Sequence, residues 1–238
     1  MAGLEQTLGD VVAAEFVVLF VIASWQWRRY RARGAGWAAG SFGVLAAISV
    51  LSVCLQAAGV LLLPGWAVKT LVATLLLVPY GLYRFADSFV PLRGSARYLA
   101  ELLTVGAVLG TALIPYLPLP GQPAPAGFLV YRVLVTLQWG LLFGFVAFRM
   151  WCAGAHQPRA ARYRMRILAL AAAGLDVPVI LGTLGLSYKP GVQVASQLNT
   201  AVMAVLFAVG LVLPAAVRTW WRGSERNAMQ VAIADLVR

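Results

Sequence analysis

G-A-G-W-A-A-G-S-F-G-V-L-A-A-I-S-V-L-S-V-C-L-Q-A-A-G-V-L-L-L-P-G-W-A-V, residues 34–68, runs from Gly34 to Val68 without one charged side chain. It is too long for a single membrane crossing, which takes about 20 residues of helix. Pro64-Gly65 divides it. The division gives one helix over 36–63 and the next over 66–88.

The same reading applied outward gives five further apolar stretches: 9–27, 98–117, 127–151, 165–186 and 192–219. The composition agrees. Hydrophobic residues make up 61% of the 238 and charged residues 11%, and the mean hydropathy is +0.83. A water-soluble domain carries about 25% charged residues. With so few, this chain takes lipid as its solvent. The predicted fold is all-α: a polytopic membrane protein with a seven-transmembrane-helix bundle over residues 1–222, followed by a connector at 223–238.

Charge placement orients the bundle. Arg28, Arg29, Arg31 and Arg33 follow the first span, and Arg84, Arg93 and Arg97 join the third to the fourth. Arg149, Arg159, Arg162, Arg164 and Arg166 join the fifth to the sixth, and Arg218, Arg222, Arg226 and Arg238 follow the seventh. Of 19 basic residues, only Lys69, Arg132 and Lys189 fall toward the other ends. The positive-inside rule then expects the N-terminus outside and the C-terminus in the cytoplasm. The net charge of +11 is explained by lipid headgroups as partners, and nucleic acid is not required. Trp25, Trp27, Tyr30, Trp37 and Trp151 at the inner ends, with Tyr116 and Tyr188 at the outer ends, read as interfacial anchors. Cys54 and Cys152, the two cysteines, are expected to be inert buried thiols.

Ionisable groups inside a span cost several kcal/mol unless paired or hydrated, so each is a candidate site residue. Glu15, Lys69, Arg132 and Asp176 lie at outer or middle depth on four helices. Helical spacing extends their faces: Ser49, Ser52 and Gln56 on the second span, Arg132, Thr136 and Trp139 on the fifth, Gln193, Gln197 and Thr200 on the seventh. Converging, these faces make an outward-opening cavity for a small molecule. The alternative is interhelical polar glue, with Lys69 and Arg132 snorkelling to the interface. Pro178 is expected to open the sixth helix locally. At the inner face Arg84, Asp87, Arg97 and Glu101 are placed to form an ionic latch, or an ordinary interfacial ion pair.

Several chemistries lack their signatures. His156 is the single histidine, and no Cys/His cluster accompanies it, so no metal site is expected. There is no P-loop and no nucleophile elbow. Residues 192–217 hold no lysine for a retinal Schiff base. Neither an enzyme nor a cofactor is expected within these residues; any catalytic output would lie beyond residue 238.

In the connector, Met229, Ile233 and Leu236 recur at the spacing of a coiled-coil seam. A surface helix on the headgroups is the alternative. The third-helix end L-Y-R-F-A-D-S-F, the Pro-rich loop after Tyr116, the run Q-P-R-A-A-R-Y-R-M-R-I-L-A-L and the tail R-T-W-W-R-G-S-E-R-N-A-M-Q-V-A-I-A-D-L-V-R carry a resemblance. The layout resembles the N-terminal seven-helix sensory region of bacterial, actinobacterial-type signalling proteins such as sensor histidine kinases and diguanylate cyclases. The resemblance implies a receptor in the bacterial inner membrane. An unknown ligand would shift the seventh helix, and a homodimer through the C-terminal helix would pass the signal to a cytoplasmic output. The departure is that no output domain is present, so the chain is read as a sensor region of a longer protein or as one acting through a partner. Two other classes stand beside this: a small-molecule transporter using the intramembrane charges, and a structural membrane subunit.

Overall fold

The computed structural model describes residues 2–60, 63–89, 94–118, 122–155, 157–183, 185 and 190–212. The expected seam of Met229, Ile233 and Leu236 lies outside them, as does His156. Among the described residues eight helices form: α1 (Ala2–Tyr30), α2 (Arg33–Ala57), α3 (Gly65–Leu75), α4 (Leu77–Asp87), α5 (Gly94–Leu113), α6 (Phe128–Ala155), α7 (Arg159–Thr183) and α8 (Pro190–Leu211). With α3 and α4 taken as one crossing, seven segments among the described residues are long and apolar enough to span a membrane. This is a multi-pass membrane protein with an all-helical bundle. We refer to its two faces as the arginine-rich end and the opposite end.

Neighbouring helices close a ring. α1 packs on α2, α2 on α4, α4 on α6, α6 on α7, α7 on α8, and α8 returns to α1; α5 stands outside against α3, α4 and α6. Across the centre the rings of Phe42 on α2 and Phe207 on α8 meet edge to face, 5.2 Å apart. Leu19, Ala38, Leu82, Phe143 and Leu168 fill the space around them. Lipid tails are as apolar as this core, so burial alone does not drive helix association; close packing and polar contacts do. Small residues permit that approach. A Cβ on Gly81 would collide with Ser41 Oγ of α2, and one on Gly174 with the Met203 side chain of α8.

Helix ends depart from the hydropathy reading where local chemistry overrides it. α2 stops at Ala57 rather than 63. Gly59 takes φ +69°, Gly59 N–H donates to Gln56 O and Val60 N–H to Leu55 O. That is a Schellman motif, which satisfies the terminal carbonyls and turns the chain away. α5 ends at Leu113 rather than 117, because Pro115 follows and cannot continue a helix. The third span is interrupted at Leu76. Pro79 has no N–H to give the carbonyl four residues back, and its ring crowds that carbonyl.

α7, by contrast, runs unbroken through Pro178, where local opening was expected. The cysteines also differ from expectation: Cys54 and Cys152 are both exposed on the bundle surface. The last turns of α2 from Leu51 to Ala57 rise clear of their neighbours. Both thiols face outward from the bundle rather than into its core.

Candidate functional site

Each proline leaves the carbonyl four residues back without its helical partner in a medium without water, Leu75 O for Pro79 and Gly174 O for Pro178, and a side-chain amide satisfies the second. Pro178 removes the N–H that would bond Gly174 O; Asn199 Nδ2 of α8 donates to that oxygen at 2.7 Å. Between α3 and α4 the fully buried Gln138 of α6 donates from Nε2 to Leu76 O, one residue past the carbonyl that Pro79 frees, at 2.7 Å. Ser41 Oγ of α2 lies 3.3 Å from Val78 O and 3.1 Å from Trp37 O. Freed backbone groups inside membranes are re-satisfied in this way by neighbouring helices. The three polar side chains thus hold two irregular helices in register with the ring.

Above the Asn199–Gly174 bond, toward the opposite end, α1, α2, α7 and α8 separate around a cavity of about 700 Å³. Gln56 of α2 and Gln193 and Gln197 of α8, all expected at a ligand site, line it together with Ser49, Ser52 and Thr200. Gln56 Nε2 is 3.5 Å from Ser52 Oγ. Pro178 lies in its wall, and α1 adds Gln6 and Asp10, which the spacing argument did not include. Among the described residues, Asp10 is the only charged one in the lining.

The remaining expected ligand residues are dispersed. Glu15 lies farther along α1, half-buried, with Oε2 lacking a partner among the described residues. Asp176 is 8% exposed. Its Oδ2 faces the bare Cα of Gly140 on α6, and its Oδ1 has no partner among the described residues. Neither carboxylate pairs with Lys69 or Arg132 among the described residues.

Lys69 Nζ donates to Ala112 O at 3.4 Å and also to Ile114 O, capping the C-terminal carbonyls of α5. A cation is well placed at that negative end of the helix dipole. Lys69 also borders a second cavity, of about 820 Å³, which shares Ser52 and Gln56 with the first. Arg132 and Thr136 are joined only through Thr136 Oγ1, which donates to Arg132 O at 2.8 Å within α6. Trp139 is 5% exposed and stacks on Phe143 at 5.2 Å, so it belongs to the core.

At the arginine-rich end, Arg84, Asp87, Arg97 and Glu101 come together. Arg97 Nε donates to Glu101 Oε1 at 2.9 Å. Arg84 Nη1 is 3.9 Å from the same oxygen, and Arg84 Nε is 3.9 Å from Asp87 Oδ2. Tyr80 is the unexpected member: its hydroxyl accepts from Arg84 Nη1 at 3.0 Å and donates to Glu101 Oε1 at 3.3 Å. The Arg84 guanidinium also lies over the Trp37 ring, 5.1 Å from its centre. The cluster therefore ties α4 to α5 and α2. Partly exposed pairs of this kind contribute about 0–1 kcal/mol each, so the cluster fixes geometry more than stability.

Of the partners that the sequence reading did not single out, Gln138, Asn199 and Ser41, Asn199 had a signal of its own. A proline inside a predicted span frees the carbonyl four residues earlier, and an amide at matching depth on another span is its natural donor. No family model matches the chain, and no curated protein or solved structure is significantly similar to it.

Proposed function

We propose that this chain is the membrane-embedded sensory module of a bacterial receptor, lying in the cell membrane with its arginine-rich end toward the cytoplasm. A small polar molecule enters the cavity between α1, α2, α7 and α8. The observation that carries the reading is the position of that cavity. Its amide and hydroxyl groups belong to α8 on one side and to α1 and α2 on the other. A ligand that bridges Gln197 to Ser49 or Gln56 ties α8 to α2. It does so beside Pro178, where α7 and α8 are joined through Asn199 and Gly174.

A ligand shifts a conformational equilibrium only by binding one packing better than another. Here the two packings differ in the placement of α8 against α2. The displacement reaches the arginine-rich end, where Arg164 Nε donates to Gly210 O at 2.7 Å and Gln26 Nε2 to Leu211 O at 2.8 Å. From there residues 223–238, through Met229, Ile233 and Leu236, would hand the motion to a dimeric cytoplasmic output.

A transport reading keeps one observation in its favour: the carboxylates of Glu15 and Asp176 lack partners among the described residues, as proton-coupling groups would. One experiment separates the two. The chain, with Cys54 and Cys152 changed to serine and Val212→Cys carrying an environment-sensitive dye, is placed in liposomes. A panel of small cationic, neutral and anionic solutes is then added. The receptor reading expects at least one solute to change the dye emission, the change to vanish in Gln197→Leu, and no solute to accumulate inside. Accumulation of the same solute would overturn it in favour of transport. An unchanged emission across the panel would remove support for the cavity as a sensory site.

A further inference from the structure

A cavity of about 910 Å³ lies at the arginine-rich end between α1, α2, α4, α7 and α8. It is separate from the cavity between α1, α2, α7 and α8 at the opposite end, and Arg164, Gln26 and Leu211 line it. Three guanidinium groups face it, from Arg33, Arg84 and Arg164, against one carboxylate, Asp87. Their commitments differ. Arg84 is held by Glu101, Tyr80 and Asp87. Arg164 gives Nε to Gly210 O and Nη2 to Leu211 O at 3.4 Å, which leaves its Nη1 hydrogens unused. Arg33 makes no hydrogen bond or ion pair among the described residues.

Positive charge is thus in excess inside a concave site with apolar walls, where an anion is bound more strongly than on an open surface. The start of α2 adds to it. Its N-cap, Ala32, supplies no side-chain cap, and no acidic residue stands in the first turn. The free N–H groups there carry the positive end of the helix dipole.

We propose that this cavity binds the phosphate of an anionic phospholipid, held by the guanidinium groups of Arg33 and Arg164. Phosphate suits the planar fork of arginine, which grips two oxygens at once. The lipid source follows from the walls. Trp25 and Trp37 line the cavity while remaining 53% and 40% exposed. Such amphipathic rings sit at headgroup level, and lipid phosphates occupy that depth at high local concentration. Basic clefts between spans at this level are suited to headgroups. The assignment is independent of the sensory reading, and either can fail alone.

The test uses the full chain purified in detergent with equal amounts of phosphatidylglycerol and phosphatidylcholine, and native mass spectrometry to count retained lipid. Wild type is expected to retain phosphatidylglycerol preferentially. Each arginine near a headgroup contributes about fivefold. Arg33→Gln/Arg164→Gln should therefore lose the preference, and Arg33→Gln alone, a change on an exposed side chain, should weaken it about fivefold. The control Arg28→Gln/Arg159→Gln removes the same charge from exposed positions outside the cavity and should retain the preference. Circular dichroism confirms that each variant is folded.

Equal retention of the two lipids by wild type overturns the proposal. So does an equal loss in the control pair, which would mark diffuse attraction to the surface. Displacement of the lipid by millimolar glycerol 3-phosphate would move the ligand from the bilayer to solution and overturn the lipid assignment.

Discussion

At the scale of single residues, the polar side chains that matter most here serve backbone carbonyls. Gln138 and Asn199 each donate at 2.7 Å to an oxygen beside a proline interruption. Replacing Asn199 by leucine leaves the Gly174 carbonyl unsatisfied in a dry interior, and replacing Gln138 removes a buried hydrogen bond between α6 and the third span. We expect Gln138→Leu and Asn199→Leu each to destabilise the bundle by about 1–2 kcal/mol, read from unfolding in a denaturing-detergent titration. Thr136→Val is the comparison. Its hydroxyl bonds only to Arg132 O of its own helix, and its loss should fall within about 0.5 kcal/mol of wild type. A result in which all three behave alike would remove the special role of the prolines. Gln56, Gln193 and Gln197 were legible as one site because helical spacing sets side chains on a common face. Gln138 was not, since its partner, Leu76 O, lies on another span.

At the scale of elements, the existence of each span was legible and its ends were not. Hydropathy counts apolar residues, and Val60 and Leu63 are as apolar as the helix before them. Gly59 decides the end, through a backbone conformation that an L side chain resists. Nothing stands within 4 Å of the Cβ position at Gly59, so Gly59→Ala tests conformation free of crowding. It should cost about 1–2 kcal/mol in the same detergent titration, and Gly59→Asn should cost less, since asparagine visits that region more readily. If the two substitutions cost nothing, the chain turn after α2 does not depend on the left-handed residue. Lys69 gives a second lesson of this kind. As a lone cation in a span it signals a site, yet its amine is occupied by the end of α5, and only a structure brings that end beside it.

For the molecule as a whole, two independent counts agreed in the sequence, seven apolar segments and basic residues at alternate ends. The structure places the described arginines of the connecting segments at one end of the bundle. It also exposes one native cysteine near each end, Cys54 in the last turn of α2 and Cys152 in the last turn of α6. The expected orientation can thus be read without adding a label site. In intact cells a membrane-impermeant maleimide should modify Cys54, and Cys152 only after permeabilisation. The reverse pattern would invert the bundle and place the arginine-rich cavity outside. What stayed illegible at this scale was the order of packing: seven spans do not announce that α5 stands outside a ring of the others.

That ring has a consequence in time. Its closing contact joins Gln26 of α1 to Leu211 of α8, 185 residues apart in the chain. Ribosomes add about 5–20 residues per second, so α1 waits in the bilayer for roughly 10–40 s before its last neighbour is made. Through that interval the nascent bundle is an open crescent, and the face of α1 destined for α8 meets lipid or an insertion chaperone instead. A substitution at Gln26 acts on this late α1–α8 seam and leaves the earlier helices assembled.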